Sequence, residues 1–237
     1  MSPETPPGPD APLPVTSLLD PRAIQIMSTE HWSLLSARSL AYNEAFTRGG
    51  MFLTFLSMSF VALALVSAAM PFDREFLSIA AIVFGFDLVI GFGTYGRIIA
   101  ANGDDFRAVY GMARIRHGYT EIAPILAPYF TTSVHDDLKG VLVTYGSPRV
   151  SPTGDLVYAL TTSGGMIGMI VALLSGVFVH VLALLAGLPA GLSFGAAAIA
   201  AVGVFAGLAV LTSRYFYREQ AKLPVMFPSP PEGDGEG

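Results

Sequence analysis

Two residues combine reactive chemistry with apolar surroundings. Asp87 lies near the middle of an otherwise apolar stretch from Phe76 to about Ala100, and His180 interrupts a second one from Gly164 to Leu188. A carboxyl near the centre of a bilayer costs about 3 kcal/mol on insertion scales, so it must protonate, pair or face water. Counted inward from the ends of their stretches at 1.5 Å per residue, Asp87 lies roughly 16 Å deep and His180 roughly 12 Å. The two can therefore meet if their helices pack together. A carboxyl beside an imidazole is the chemistry of a proton or cation relay. The plainer alternative is one polar contact that fixes helix register, and the spacing leaves both open.

The remaining candidates are weaker in kind. His135, Asp136 and Asp137, with His117 and Glu121 earlier in the chain, carry ligand-type atoms, and His117 and Glu121 share a face if their segment is helical. Their spacing satisfies no metal-site pattern, so no metal is expected, and a capped, solvated helix start accounts for the His-Asp-Asp run. Gly91-Phe92-Gly93-Thr94-Tyr95-Gly96 matches G-x-G-x-x-G. The dinucleotide fingerprint needs a strand before it and a soluble sheet around it, and neither context exists here. No H-E-x-x-H or P-loop pattern occurs, and with no cysteine in the chain thiolate and Cys-ligated chemistry are excluded. No cofactor is expected, and the chain is read as non-enzymatic.

The elements that must position Asp87 and His180 are membrane spans. The chain has 237 residues, 52% hydrophobic and 13% charged, with a mean hydropathy of +0.57, the wrong balance for a solvated surface. Met51 to Met70 runs 20 residues without a charge, and Pro71 to Glu75 (PFDRE) breaks it before the second span begins at Phe76. The third span is Gly164 to Leu188, and a Leu-Pro-Ala-Gly turn at 188–191 leads into a fourth that ends near Thr212. The expected fold is all-α: a polytopic membrane protein with four transmembrane helices in two hairpins (51–100 and 163–213) plus a cytoplasmic helical region.

That region has two parts. Residues 21–50 read as an amphipathic helix with a Ser28/Thr29 cap, and Trp32, Leu34, Leu35, Leu40, Ala41 and Phe46 lie among polar neighbours. Residues 101–162 form a polar insert with 6 acidic and 5 basic residues, helical from Asp104 to Arg116, with Ser133 able to cap a short helix through HDDLKGVLVTYG. Residues 1–20, with six prolines, and 214–237, Pro/Gly-rich and acidic from Pro224, read as disordered tails without a signal peptide.

Twelve of the 13 lysines and arginines flank one side of the spans, and only Arg74 flanks the other. The positive-inside rule then places both termini and the insert in the cytoplasm of a bacterial inner membrane. The net charge of −5 argues against a nucleic-acid partner. Gly164, Gly168, Ala172 and Gly176 fall at unbroken four-residue spacing, a smooth stripe for close helix contact. On the fourth span Gly191, Gly195, Gly203 and Gly207 share such a grid, but Ile199 interrupts it, so the better small face is Ala196, Ala200, Gly203 and Gly207. These stripes predict a tight pairing of spans three and four, or of copies in a homo-oligomer.

The phrases STEHWSLLSARSLAYNEAFTRGGMFLTFLS, FDLVIGFGTYGRI, GYTEIAPILAPYF and HDDLKGVLVTYG resemble a family of small, uncharacterised bacterial membrane proteins of actinobacterial type. The resemblance spans about residues 20–215 and implies the four-span layout but no activity, cofactor or site residue. A cytoplasmic helix running into a membrane hairpin is also similar to the two-span effector modules of bacterial nucleotide-triggered defence systems, from which the second hairpin departs. The functional expectation is an oligomeric membrane protein that conducts or senses a small ion through Asp87 and His180. Its alternative is a scaffold or adaptor that recruits a cytoplasmic partner through residues such as Trp32, Tyr42 or Tyr110. A membrane-bound enzyme would need His117, Glu121, His135 or Asp136 gathered in one pocket.

Overall fold

The computed structural model describes residue 15 and residues 17–146 and 162–231. The expectations for residues 1–14 and 16, for 147–161 of the insert and for 232–237 lie outside the described residues. Among the described residues every regular element is helical: α1 (Pro21–Ala69), α2 (Arg74–Ile122), a 3-10 turn (Pro124–Tyr129), α3 (Leu138–Thr144), α4 (Ser163–Leu185) and α5 (Ala190–Ala221). Four of them, α1, α2, α4 and α5, are long and apolar enough to cross a membrane. The chain is a multi-pass membrane protein. Its outward-facing residues agree with this: Met58, Val61, Leu65, Ile82, Phe86, Val89, Ile199 and Val202 are all exposed, an apolar surface too extensive for water.

The first two helices are longer than their apolar runs. Each has 49 residues, which is about 74 Å of continuous helix. The amphipathic segment is thus no separate element, because Gly49 and Gly50 do not break α1. A methyl at Gly49 would sit at ordinary contact distance from Ile167 and Ile98, so the glycine is packed within the bundle there. Nor does α1 begin at Ser28/Thr29. Asp20 caps it, accepting from the Arg22 N–H at 2.9 Å with Pro21 in the first turn, and the Thr29 hydroxyl donates to the Gln25 carbonyl instead. Similarly, the first third of the insert is simply the continuation of α2. Asp73 caps α2 through the N–H groups of Glu75 and Phe76, and Pro124 stops it.

The second hairpin turns through Ala186–Pro189. Gly187 takes φ +82° there, its N–H reaches the Leu184 carbonyl and the Leu188 N–H reaches that of Ala183. This pair of bonds closes the last turn of α4, and the left-handed φ is why glycine occupies the position.

α2 and α4 are central, flanked by α1 and α5 respectively, and α1 and α5 do not touch. Phe52, Leu56, Leu63, Phe76, Ala80, Phe84, Leu88, Ile98, Ile167, Val171 and Leu174 form the buried core. The stripe on α4 works as expected on two sides. Methyls at Gly164 and Gly168 would press on Ile99 (3.1 Å) and Tyr95 (2.8 Å) of α2, and one at Gly176 would lie 2.8 Å from the Ala197 carbonyl oxygen of α5. The expected face of α5 is a correction. Its contact side runs through Ser193, Ala197, Ala201 and Leu208; Ala196 and Ala200 are half-buried just as Ala197 and Ala201 are, and it is Gly203 and Gly207 that leave the expected face, with no neighbour within 4 Å.

Candidate functional site

Asp87 is fully buried, at 0% exposure, inside the first hairpin. Its Oδ1 accepts a hydrogen bond from Ser59 Oγ of α1 at 2.9 Å, and its Oδ2 has no partner. His180 is not that partner. The imidazole stacks on Phe194 of α5, ring centroids 4.3 Å apart, and its Nδ1 is buried without a hydrogen bond. The physical reason is rotational: depth along the bilayer matched the two residues approximately, but Asp87 projects toward α1 while His180 projects toward α5. Ser59 was the residue missed. The turn at residues 70–73 sets i roughly against 143 − i, which places Ser59 within about one helical turn of the level of Asp87, so the register carried part of the signal.

Gly91, next along α2, lets the first hairpin and α4 converge. A methyl there would sit 2.9 Å from Val171 and 3.0 Å from Phe52. The G-x-G-x-x-G match is therefore mid-helix packing, with Gly93 and Gly96 facing open space. Within the same stretch Tyr95 shares a 2.6 Å hydrogen bond with Thr212, tying α2 to α5.

A second polar centre lies at the basic end of the bundle. Asp105 accepts from Arg38 Nε at 2.5 Å, Tyr42 at 3.1 Å and Tyr145 at 2.6 Å, joining α1, α2 and the end of α3. Burial, followed by the Asp105 carboxylate, pushes the Tyr145 phenol far above its ordinary range, which keeps it a donor.

The His-Asp-Asp run holds the C-terminal segment. Asp136, fully buried, accepts from Arg114 Nε at 2.7 Å, the Phe227 N–H at 2.7 Å and the Met226 N–H at 3.0 Å, and its own N–H donates to the Phe227 carbonyl at 3.1 Å. Asp137 caps α3 through the Gly140 N–H and also takes both the N–H and the hydroxyl of Ser229 at 2.8 Å. Tyr110 and Arg114 donate to the Pro224 carbonyl, and Phe227 stacks on His117 with centroids 3.9 Å apart. Burial raises both aspartate carboxyls, but the donors around them outweigh it and hold both below the usual carboxylate range.

Three expectations change here. Asp137, not Ser133, caps the short helix, because the Ser133 hydroxyl is taken by the His135 N–H. The run is not simply solvated, because Asp136 is fully buried and His135 and Asp137 are half-buried. Of the tail expected over 214–237, the described part to residue 231 is not disordered, since α5 continues to Ala221 and residues 223–229 are bound along α2 and α3. His117 and Glu121 do share a face, at 3.5 Å, and His117 and His135 have ring centroids 6.3 Å apart. Their carboxylate neighbours are committed elsewhere, and among the described residues no three potential ligands converge.

No family model, curated protein or solved structure matches the chain.

Proposed function

We propose that the protein is a non-enzymatic, homo-oligomeric inner-membrane protein of bacterial type that conducts or senses a small ion, with Asp87 as the responsive group. The observation that carries this reading is the Asp87 carboxyl, buried in the hairpin with one oxygen on Ser59 and the other unpartnered. Buried carboxyls that serve only structure have their acceptors filled, and intramembrane ones left unfilled mark ion and proton pathways. His180, equally orphaned at Nδ1 but facing α5, would act as a separate polar site. The basic end faces the cytoplasm by the positive-inside rule, and the resemblance to an actinobacterial-type family supports the bacterial assignment.

Asp87 meets no open space within one chain, so a rigid monomer offers it no path. Self-association is supported by the open glycines of α5, at 191, 195, 203 and 207, where nothing lies within 4 Å and a second helix can approach closely. Proton and monovalent-cation flux in proteoliposomes tests the proposal, with wild type beside Asp87→Asn. The mutation is expected to abolish flux and preserve assembly. Equal flux in the two, or none in an intact oriented assembly, refutes it.

A second reading, an adaptor that recruits a soluble partner, is favoured by Trp32, 64% exposed on the extramembrane part of α1, with Leu40 exposed on the same helix. Tyr110 drops out of that surface because it is buried and bonded to the Leu223 and Pro224 carbonyls. Tyr42 is bonded to Asp105. In that case Trp32→Ala removes partner capture, and Asp87→Asn has no effect on it.

A further inference from the structure

Arg116, on the extramembrane part of α2, is the one buried arginine among the described residues, at 7% exposure. Arg38, Arg48, Arg97, Arg107 and Arg114 each meet a carboxylate, whereas Arg116 has none. Its Nε donates to the Ser133 carbonyl at 3.0 Å, and its Nη2 is buried with no acceptor. A guanidinium cannot shed its charge to relieve such burial, so an unpaired one needs an anion. Its charged neighbours make the shortage worse. Arg38 and His31 of α1 both lie within electrostatic reach, and Asp105, three turns away along α2, is already engaged by Arg38. Burial first, and the Arg116 charge second, hold the His31 imidazole below its ordinary value, as expected where positive potential is in excess.

We propose that Arg116 is the centre of a binding site for a small soluble oxyanion of the phosphate class, seated between α1, α2 and the Ser133 segment. The Nη1/Nη2 edge of the guanidinium supplies the two parallel donors that suit a phosphate, and Ser133 fixes the opposite edge so that the fork is held in place. A lipid headgroup is the other common source of phosphate, and distance argues against it. Arg116 lies 19 residues beyond Arg97, the last charge of the second span, or roughly 28 Å along α2 and clear of the bilayer surface. The site is independent of the reading given for Asp87, since none of its residues lies in a span.

The test is thermal unfolding of the full chain in neutral-lipid nanodiscs, in inorganic phosphate and in chloride at matched ionic strength. Wild type is expected to gain about 5 °C or more once phosphate exceeds its Kd a hundredfold. Arg116→Gln is expected to lose the gain. Arg116→Lys keeps the charge without the fork, remains testable if the glutamine variant does not fold, and is expected to lose most of it. Equal midpoints for wild type in the two salts, or an undiminished gain in either variant, overturns the proposal. So does a gain produced only by adding phosphatidylserine to the discs, which would assign the chemistry to a headgroup.

Discussion

Asp87 and Asp136 are both completely buried, yet their surroundings differ in kind. Asp136, outside the membrane, is filled by a guanidinium and two backbone N–H groups, whereas Asp87, inside it, has a single serine hydroxyl. A saturated carboxylate is a structural joint, since every acceptor direction is spent on holding two pieces of chain together. An undersaturated one keeps capacity in reserve, and its charge state is free to respond to what approaches it. Burial alone separates the two poorly, whereas the census of donors separates them well.

The contrast breaks most visibly at Asp136. Asp136→Ala should cost about 3–5 kcal/mol, because Arg114 and two backbone donors lose their acceptor in a buried place. Limited proteolysis should then cut the chain between Leu223 and Ser229, where wild type resists. A cut no faster than in wild type would show that the Asp137, Tyr110 and Phe227 contacts hold the segment without Asp136.

Acid should act on the same joint more gently. The Asp136 and Asp137 carboxyls are held below their ordinary values, so their stabilisation is complete above an ordinary aspartate value of about 3.9 and is lost as pH falls through the lower native values. Release of the C-terminal segment, followed by limited proteolysis between Leu223 and Ser229 with an acid-active protease, should begin below about pH 4. Release that began near neutrality would show that the aspartates do not control the joint.

The smallest effect belongs to the membrane site. Ser59→Ala leaves Asp87 without its one donor and should cost about 1–3 kcal/mol in denaturation of the intact assembly. If the cost is nil, Asp87 already has an adequate partner by another route, and the contrast with Asp136 fails.

Much of the fold was legible because hydrocarbon thickness imposes long uncharged runs, and 51–70, 76–100, 164–188 and 191–212 are such runs. Helix continuity was not, since Gly49-Gly50 reads as a boundary and only the contact with Ile98 and Ile167 makes it a joint. Asp87 was legible as a residue type, but its partner depended on rotation about the helix axis, which depth counting leaves out. The bound C-terminal segment was hidden by its prolines, although Met226 and Phe227 within PVMFPSPP were apolar enough to hint at a docked chain. Gly203 and Gly207 share the small-residue pattern of α4, yet the facing residues decide which stripe is buried, and Ala197 and Ala201 match Gly176 instead.

The two 49-residue helices have no internal break between the depth of Asp87 and the level of Arg116. They behave as a pair of levers with the bilayer surface as fulcrum. A tilt or axial rotation of α2 within the lipid reappears at the far end as a sideways sweep, enlarged in proportion to the length of the outer arm. A small movement of either helix in the lipid would therefore be felt at the Asp105 and Asp136 joints outside it.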